Sequence, residues 1–250
     1  MANSTLVSFP TRHETSRVIQ LSVRTGHSSA RSHAVSWMFN GIPFLQLTKL
    51  YGLHCNVSPT WSNAVLQQAA PRLTDLTMIS PAQQHLDVVL QMPLLEYLYL
   101  PNVTGDQLQR VSWQPSLRRL RVHGPFKSPL DLGPAFPRPV LPAGLLTLAT
   151  SVYPLRASLD LMRAHADTLQ EVWLVAASDE PYGCPDLPQQ LVQCGFKRLK
   201  YLRLVRESPY HDCRHDAASC REQLRQLRDA FREAKLTAEV ICAPCRNIHD

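Results

Sequence analysis

Glycine is scarce in this chain, nine among 250 residues, and no two stand close together. That excludes the G-x-G-x-x-G dinucleotide turn, the G-x-x-x-x-G-K-[ST] phosphate loop and the G-x-S-x-G nucleophile elbow, each of which needs paired glycines. Charge is also sparse. Charged residues make up 18% of the chain and hydrophobic ones 44%, a balance that excludes wholesale disorder and favours a buried core. Long apolar runs are missing. No stretch approaches the roughly 20 apolar residues of a membrane-spanning helix, so no membrane partner is expected. Residues 1–17 (MANSTLVSFPTRHETSR) lack the continuous apolar segment of a secretory leader. The expected address is therefore cytoplasmic or nuclear, and the seven cysteines are expected as free thiols in a reducing compartment. There is no acidic surplus either. The net charge of +6 and pI near 9.1 suit acidic partners, but no clustered basic stripe of a dedicated nucleic-acid binder is evident, so nucleic acid is not the expected partner.

What the chain does have is a period. Pro71, Pro93 and Pro115 recur at a constant interval of 22 residues, and each opens a unit of the form L-x-x-L-x-L. The apolar positions are Leu73/Leu76/Met78, Leu95/Leu98/Leu100 and Leu117/Leu120/Val122. The same pattern returns at Leu169/Val172/Leu174 and Leu199/Leu202/Leu204, with weaker copies at Val18/Leu21/Val23, Leu47/Leu50 and Leu145/Leu148. A last degenerate strand is predicted over residues 238–241. Between these units, residues 61–70, 82–92, 106–113, 158–166 and 186–194 place apolar side chains at helical spacing. A longer amphipathic helix over 216–235 puts Cys220, Leu224, Leu227 and Phe231 on one face and is read as a C-terminal cap. A strand followed by a helix, repeated every 22 to 30 residues, predicts a right-handed stack in which each unit buries its leucines against its neighbours. Residues 1–17 are an N-terminal flank, 18–242 hold about eight irregular repeats, and 243–250 are a tail. The segment 125–142 (PFKSPLDLGPAFPRPVLP) breaks the repeat and reads as a proline-rich loop.

Over residues 18–242 these Pro-x-Leu-x-x-Leu-x-Leu units resemble the leucine-rich-repeat family. More narrowly, they are similar to the repeat region of F-box/leucine-rich-repeat proteins, the substrate adaptors of cullin-based ubiquitin ligases. The resemblance implies an α/β solenoid with a parallel β-sheet on the concave face and short helices on the convex face. It also implies a protein-recognition module rather than an enzyme, with substrate recognition in ubiquitin-ligase-mediated degradation as its role and ligase subunits among its partners. The F-box that would precede such repeats is not found ahead of Val18. The ninth position, Asn or Cys in the family, holds Cys55, Pro81, Val103, Pro125, Ala177 and Glu207. Only Cys55 conforms, which leaves the turn geometry open.

Side chains alternate faces along a strand. With the fourth and sixth positions of each repeat inward, the third and fifth point outward. The third positions are Asp75, Tyr97, Arg119, Thr147, Glu171 and Tyr201, and the fifth are Thr77, Tyr99, Arg121, Ala149, Trp173 and Arg203. Aromatic and arginine residues, the types enriched at binding hot spots, dominate these rows. Tyr97, Tyr99, Arg119, Arg121, Glu171, Trp173, Tyr201 and Arg203 are therefore the candidate partner-binding residues, with Arg118 and His123 at the margin. The expected partner is a protein, through an acidic or phosphorylated segment clasped by bidentate arginines, and the chain is expected to act as a monomer or within a hetero-complex. The competing reading is that these side chains simply pair across the sheet. Two long loops, 177–185 and 206–218, each carry Pro-Tyr and a Cys and are expected to lie side by side as a rim.

The C-terminal region concentrates potential metal ligands in His211, Cys213, His215, Cys220, Cys242, Cys245 and His249. Zinc takes such ligands, and His211, Cys213, Cys242 and Cys245 are the four that would hold it. Their spacing matches no standard finger, so no metal or other cofactor is expected; a Cys213–Cys245 disulfide is a further reading. A zinc-stabilised or basic scaffold that contacts nucleic acid through Arg118, Arg119, Arg121, Lys200 and Arg203 is the alternative from a different functional class.

Overall fold

The Leu-rich units become strands because their β-branched, aromatic and leucine side chains pack on a pleated surface, and the intervening segments become helices because their apolar residues recur at helical spacing. The structure, a computed structural model, describes residues 18–20, 46–101, 103–123, 136, 144–151, 155–176, 186–206 and 217–243. Nine strands alternate with six helices among the described residues. In chain order they are β1 (Val18–Gln20), β2 (Lys49–His54), α1 (Pro59–Ala69), β3 (Asp75–Ile79), α2 (Gln83–Val89), β4 (Tyr97–Pro101), α3 (Gly105–Val111) and β5 (Arg119–His123). There follow β6 (Thr147–Ser151), α4 (Leu155–Ala164), β7 (Glu171–Val175), α5 (Leu187–Val192), β8 (Tyr201–Val205), α6 (Ala217–Glu233) and β9 (Glu239–Cys242).

All nine strands form one parallel sheet in strict chain order. Leu76, Leu98, Leu120, Leu148, Val172, Leu202 and Val240 stand opposite one another in register, and none is more than 2% exposed. Two residues further along each strand, Met78, Leu100, Val122, Leu174, Leu204 and Cys242 form a second buried row. Its one polar member is Thr150, whose hydroxyl is hydrogen-bonded to Ser158 at 2.9 Å. These rows join Leu66, Leu86, Leu108, Leu161, Leu191 and Leu227 from the helices in a single core. Each fully buried leucine contributes roughly 1.5–3 kcal/mol of hydrophobic stabilisation.

Two irregularities have local causes. The weak copy at Leu47/Leu50 has Gly52 where the next inward residue should be. Gly52 takes a φ of 74°, in the left-handed region that glycine enters without strain. The register shifts there, and Leu53 rather than Gly52 pairs with Met78. Leu53 is fully buried as a result. In β1, Ile19 pairs with Leu50 and so holds the register position that the pattern gives to Leu21; Leu21 and Val23 lie outside the described residues.

The proline-rich segment interrupts the chain and leaves the sheet continuous. Arg119 pairs directly with Thr147 across the β5–β6 junction. Of residues 125–142 only Phe136 is described, and it packs, partly buried, against the core. The flank 1–17, the loops 177–185 and 207–216 and the tail beyond Ala243 lie outside the described residues.

Side chains tie two of the turns to the preceding repeat. Ser116 and Thr168 occupy equivalent positions and donate to the carbonyls of Leu95 and Leu145, each at 2.8 Å. Gln114 Nε2 donates to Val89 O and Met92 O. Gly144, at φ 144°, must lack a side chain, because a Cβ there would stand 2.6 Å from Thr168 Oγ1. At the C-terminal end, α6 packs on α5 and β9 through Cys220, Gln223, Leu224, Leu227 and Phe231. Its Arg228 donates through Nε and Nη2 to Val240 O on the last strand. No helix among the described residues is long and apolar enough to cross a membrane.

Candidate functional site

Opposite the helices the sheet presents an open face, and the predicted rows lie on it in register. Asp75, Tyr97, Arg119, Thr147, Glu171 and Tyr201 form one continuous line across β3–β8. Thr77, Tyr99, Arg121, Ala149, Trp173 and Arg203 form the second. All eight candidate partner-binding residues are thus brought to one surface. Their alternation with buried leucines leaves them half-buried or exposed.

The arginines stack on the aromatics of the preceding strand. The Arg119 guanidinium lies 5.3 Å from the Tyr97 ring centre, Arg121 lies 4.9 Å from Tyr99, and Arg203 lies 5.2 Å from Trp173 and also 5.2 Å from Tyr201. Such contacts are worth about 0.5–2 kcal/mol, more where water is excluded. Arg203 and Arg119 also meet carboxylates. Arg203 Nε meets Glu171 at 2.5 Å, and both side chains are mostly covered, at 23% and 26% exposed. Arg119 reaches over β4 to Asp75 at 3.3 Å while remaining 49% exposed. Asp75 is shared with Lys49 at 3.9 Å.

Lys49 and Tyr51 extend this face onto β2, and both were absent from the predicted site because the Gly52 irregularity weakens the repeat pattern there. Burial, followed by the charge of Asp75, pushes the Tyr51 hydroxyl up to about 12. Burial also raises Tyr97 above the ordinary tyrosine value. A third row lies beyond the L-x-x-L-x-L template, with Ile79 opposite His54, Pro101 opposite His123, and Val175 opposite Val205. The only sequence signal for it is the apolar seventh residue of some repeats. Arg118 turns out to be structural. Its Nη1 donates to the carbonyls of Pro115, Leu117 and Gly144, which close the turn into β6.

Of the predicted metal ligands, His211, Cys213 and Cys245 lie outside the described residues, and Cys242 is buried on β9. Among the described residues no cluster of three His, Cys, Asp or Glu side chains could hold a metal. Sequence reasoning missed a buried Ser–His pair, in which Ser62 Oγ lies 2.8 Å from His85 Nε2. Both residues are fully buried. His85 Nδ1 accepts the Ala82 amide, and Ser62 donates to Ser58 O, so the pair ties α1 to α2. It also missed Arg206, 1% exposed, which donates to Ala176 O, Gln223 Oε1 and Cys220 Sγ. Arg206 thereby joins the end of β8 to α6.

No family model matches the sequence, and no curated protein matches it.

Proposed function

We propose that the chain is a leucine-rich-repeat solenoid whose open sheet face is concave and recognises a protein partner. One observation carries this reading. From β3 to β8, buried leucines alternate in register with two outward rows rich in tyrosine, arginine and tryptophan, the side chains that anchor protein interfaces. The role is binding rather than catalysis. In its narrower form the reading makes the chain a substrate-recognition module for a ubiquitin ligase, and the repeat pattern is what supports that form.

The test is affinity purification of the full chain with mass spectrometry, run in parallel with Arg119→Glu/Arg121→Glu. Both side chains project from the open face, so the double variant should fold as the parent does and lose its specific preys. Unchanged preys would remove the face as the recognition surface. Cullin-complex subunits among the preys would support the adaptor role, and their absence would count against it.

A further inference from the structure

We infer that Cys220 and Cys242 form a redox modification site, in which a hydroperoxide joins the two thiols as a disulfide and so fastens α6 covalently to β9. The pair lies inward of the sheet at the C-terminal end of the array, apart from the open face and independent of what that face recognises. Cys220 stands in the first turn of α6, and Cys242 ends β9. Both are buried, and their thiols are hydrogen-bonded to each other. The third member is Arg206, whose Nη2 donates to Cys220 Sγ at 3.3 Å. Arg206 is itself buried, yet among the described residues it meets no carboxylate. Its other contacts are Ala176 O and Gln223 Oε1, and its Nε–H has no partner. A buried cation without a counter-charge is unfavourable. Of the groups Arg206 touches, only Cys220 can supply that charge, as a thiolate.

The guanidinium and the backbone amides at the start of α6 both favour that thiolate. Burial, the larger influence, raises the Cys220 thiol, and Arg206 draws it back. The resting site is therefore a dithiol, and the thiolate forms as it attacks. Cys55 and Cys194 provide the contrast. Cys55 Sγ donates to Leu53 O, and Cys194 Sγ to Gln190 O and Leu159 O. Among the described residues neither has a second thiol in contact, and burial pushes both up to about 12. Arg206 also selects oxidation over metal binding, because it repels a cation placed between the sulfurs, whereas a disulfide is neutral. In the first step the Cys220 sulfur loses its proton and attacks one peroxide oxygen. The O–O bond breaks, and the departing oxygen takes that proton. The Cys242 sulfur then attacks the resulting sulfenic acid at Cys220. The S–O bond breaks, the S–S bond forms, and water leaves with the Cys242 proton. The two thiols lose two electrons, and the hydroperoxide gains them. The bond joins the same two elements that Arg228 links through Val240 O, so oxidation turns a hydrogen-bonded cap into a cross-linked one.

The experiment treats the reduced full chain with hydrogen peroxide and maps disulfides by peptide mass spectrometry without reduction. A Cys220–Cys242 link should form before Cys55 or Cys194 is modified, and dithiothreitol should undo it. Its formation should raise the melting temperature by about 5 °C or more, and Cys220→Ser should abolish that rise. In Cys242→Ala the Cys220 sulfur should stop at the sulfenic acid, which dimedone traps. Arg206→Met should slow oxidation of the pair about tenfold or more, since a charged hydrogen bond is lost. Circular dichroism would confirm that each variant is folded; if Arg206→Met is not, the parent and the two cysteine variants decide the matter alone. Several results would overturn the inference: earlier oxidation of Cys55 or Cys194, or a link from Cys220 or Cys242 to another cysteine in place of the pair. So would a link that leaves the melting temperature unchanged, a folded Arg206→Met that oxidises at the parent rate, or one equivalent of zinc held by the two thiols.

Discussion

Arg121 over Tyr99 and Arg203 over Trp173 come from the same sequence signal, an aromatic residue in the fifth position of one repeat and an arginine in the fifth position of the next. Their surroundings differ. Arg203 is gripped by two aromatic rings and by Glu171 at 2.5 Å, so its charge is met within the protein. In the β4–β5 half Arg119 is half-exposed, and its carboxylate partner Asp75 is shared with Lys49. One half of the face is a closed knot, and the other keeps positive charge toward solvent. Residue type alone therefore does not mark a recognition surface. What decides is whether a neighbouring strand supplies the counter-charge, which depends on the residue at the same register position one or two repeats away.

The largest effects should show that the two halves differ only on the outside. Leu98 and Leu202 are both fully buried, so Leu98→Ala and Leu202→Ala should each cost about 2–5 kcal/mol in urea unfolding. A clearly smaller loss at either site would mean an uneven core and would spoil the comparison.

Acid should separate the halves next. In the second half His165 Nδ1 accepts the Leu145 amide, and burial holds the imidazole at about 4, below the ordinary histidine value of 6.5. The unfolded chain takes up this proton below about 6.5, whereas the folded chain resists until about 4. The contribution is therefore complete above that window and lost as pH falls through it, at most about 3 kcal/mol. In the first half the turn is held by Gln114, an amide that does not titrate. Hydrogen exchange at pH 4.5 should show Leu145–Leu169 losing protection before Leu95–Leu117, and His165→Gln should flatten the difference. Simultaneous loss in both halves would assign acid sensitivity elsewhere.

A smaller contrast concerns the arginines. Arg203→Ala removes two ring contacts and leaves Glu171 mostly covered and unpaired, so it should destabilise by about 1–2 kcal/mol. Arg119→Ala, at the exposed pair, should cost under about 1 kcal/mol yet affect partner capture more. Denaturant midpoints measured alongside capture would check this, and the reverse ranking would exchange the roles of the two halves. The smallest effect is at Tyr51, where Asp75→Asn should lower the hydroxyl's titration point slightly, because burial rather than Asp75 is the larger cause of its rise. Ultraviolet titration against Tyr51→Phe would resolve it.

The strand register and the two outward rows were legible because a period-two strand with leucine at fixed intervals leaves only one face for each residue. Lys49 and Tyr51 precede Gly52 and keep their face; they were passed over because Gly52 leaves the Leu47/Leu50 copy without its second inward residue, so the unit there does not read as a full repeat. The ion pairs were also hidden, because Arg119 and Asp75 are two strands apart and 44 positions apart in the chain. Arg206 was placed in a polar loop because arginine is almost never buried without partners, and those partners come from α6 and from the end of β7. Nor did the non-conforming ninth positions predict how the turns would be satisfied. Gln114, Ser116, Arg118 and Thr168 supply those hydrogen bonds from other positions.

A parallel sheet whose strands follow one another in chain order has no intrinsic stop. Glu239 N–H is directed at Lys200 O, just ahead of β8, so the next carbonyl, Val240 O, points the other way, toward the place a tenth strand would take. Arg228 of α6 occupies it. By taking that carbonyl the guanidinium removes one acceptor from an edge on which another strand could otherwise pair.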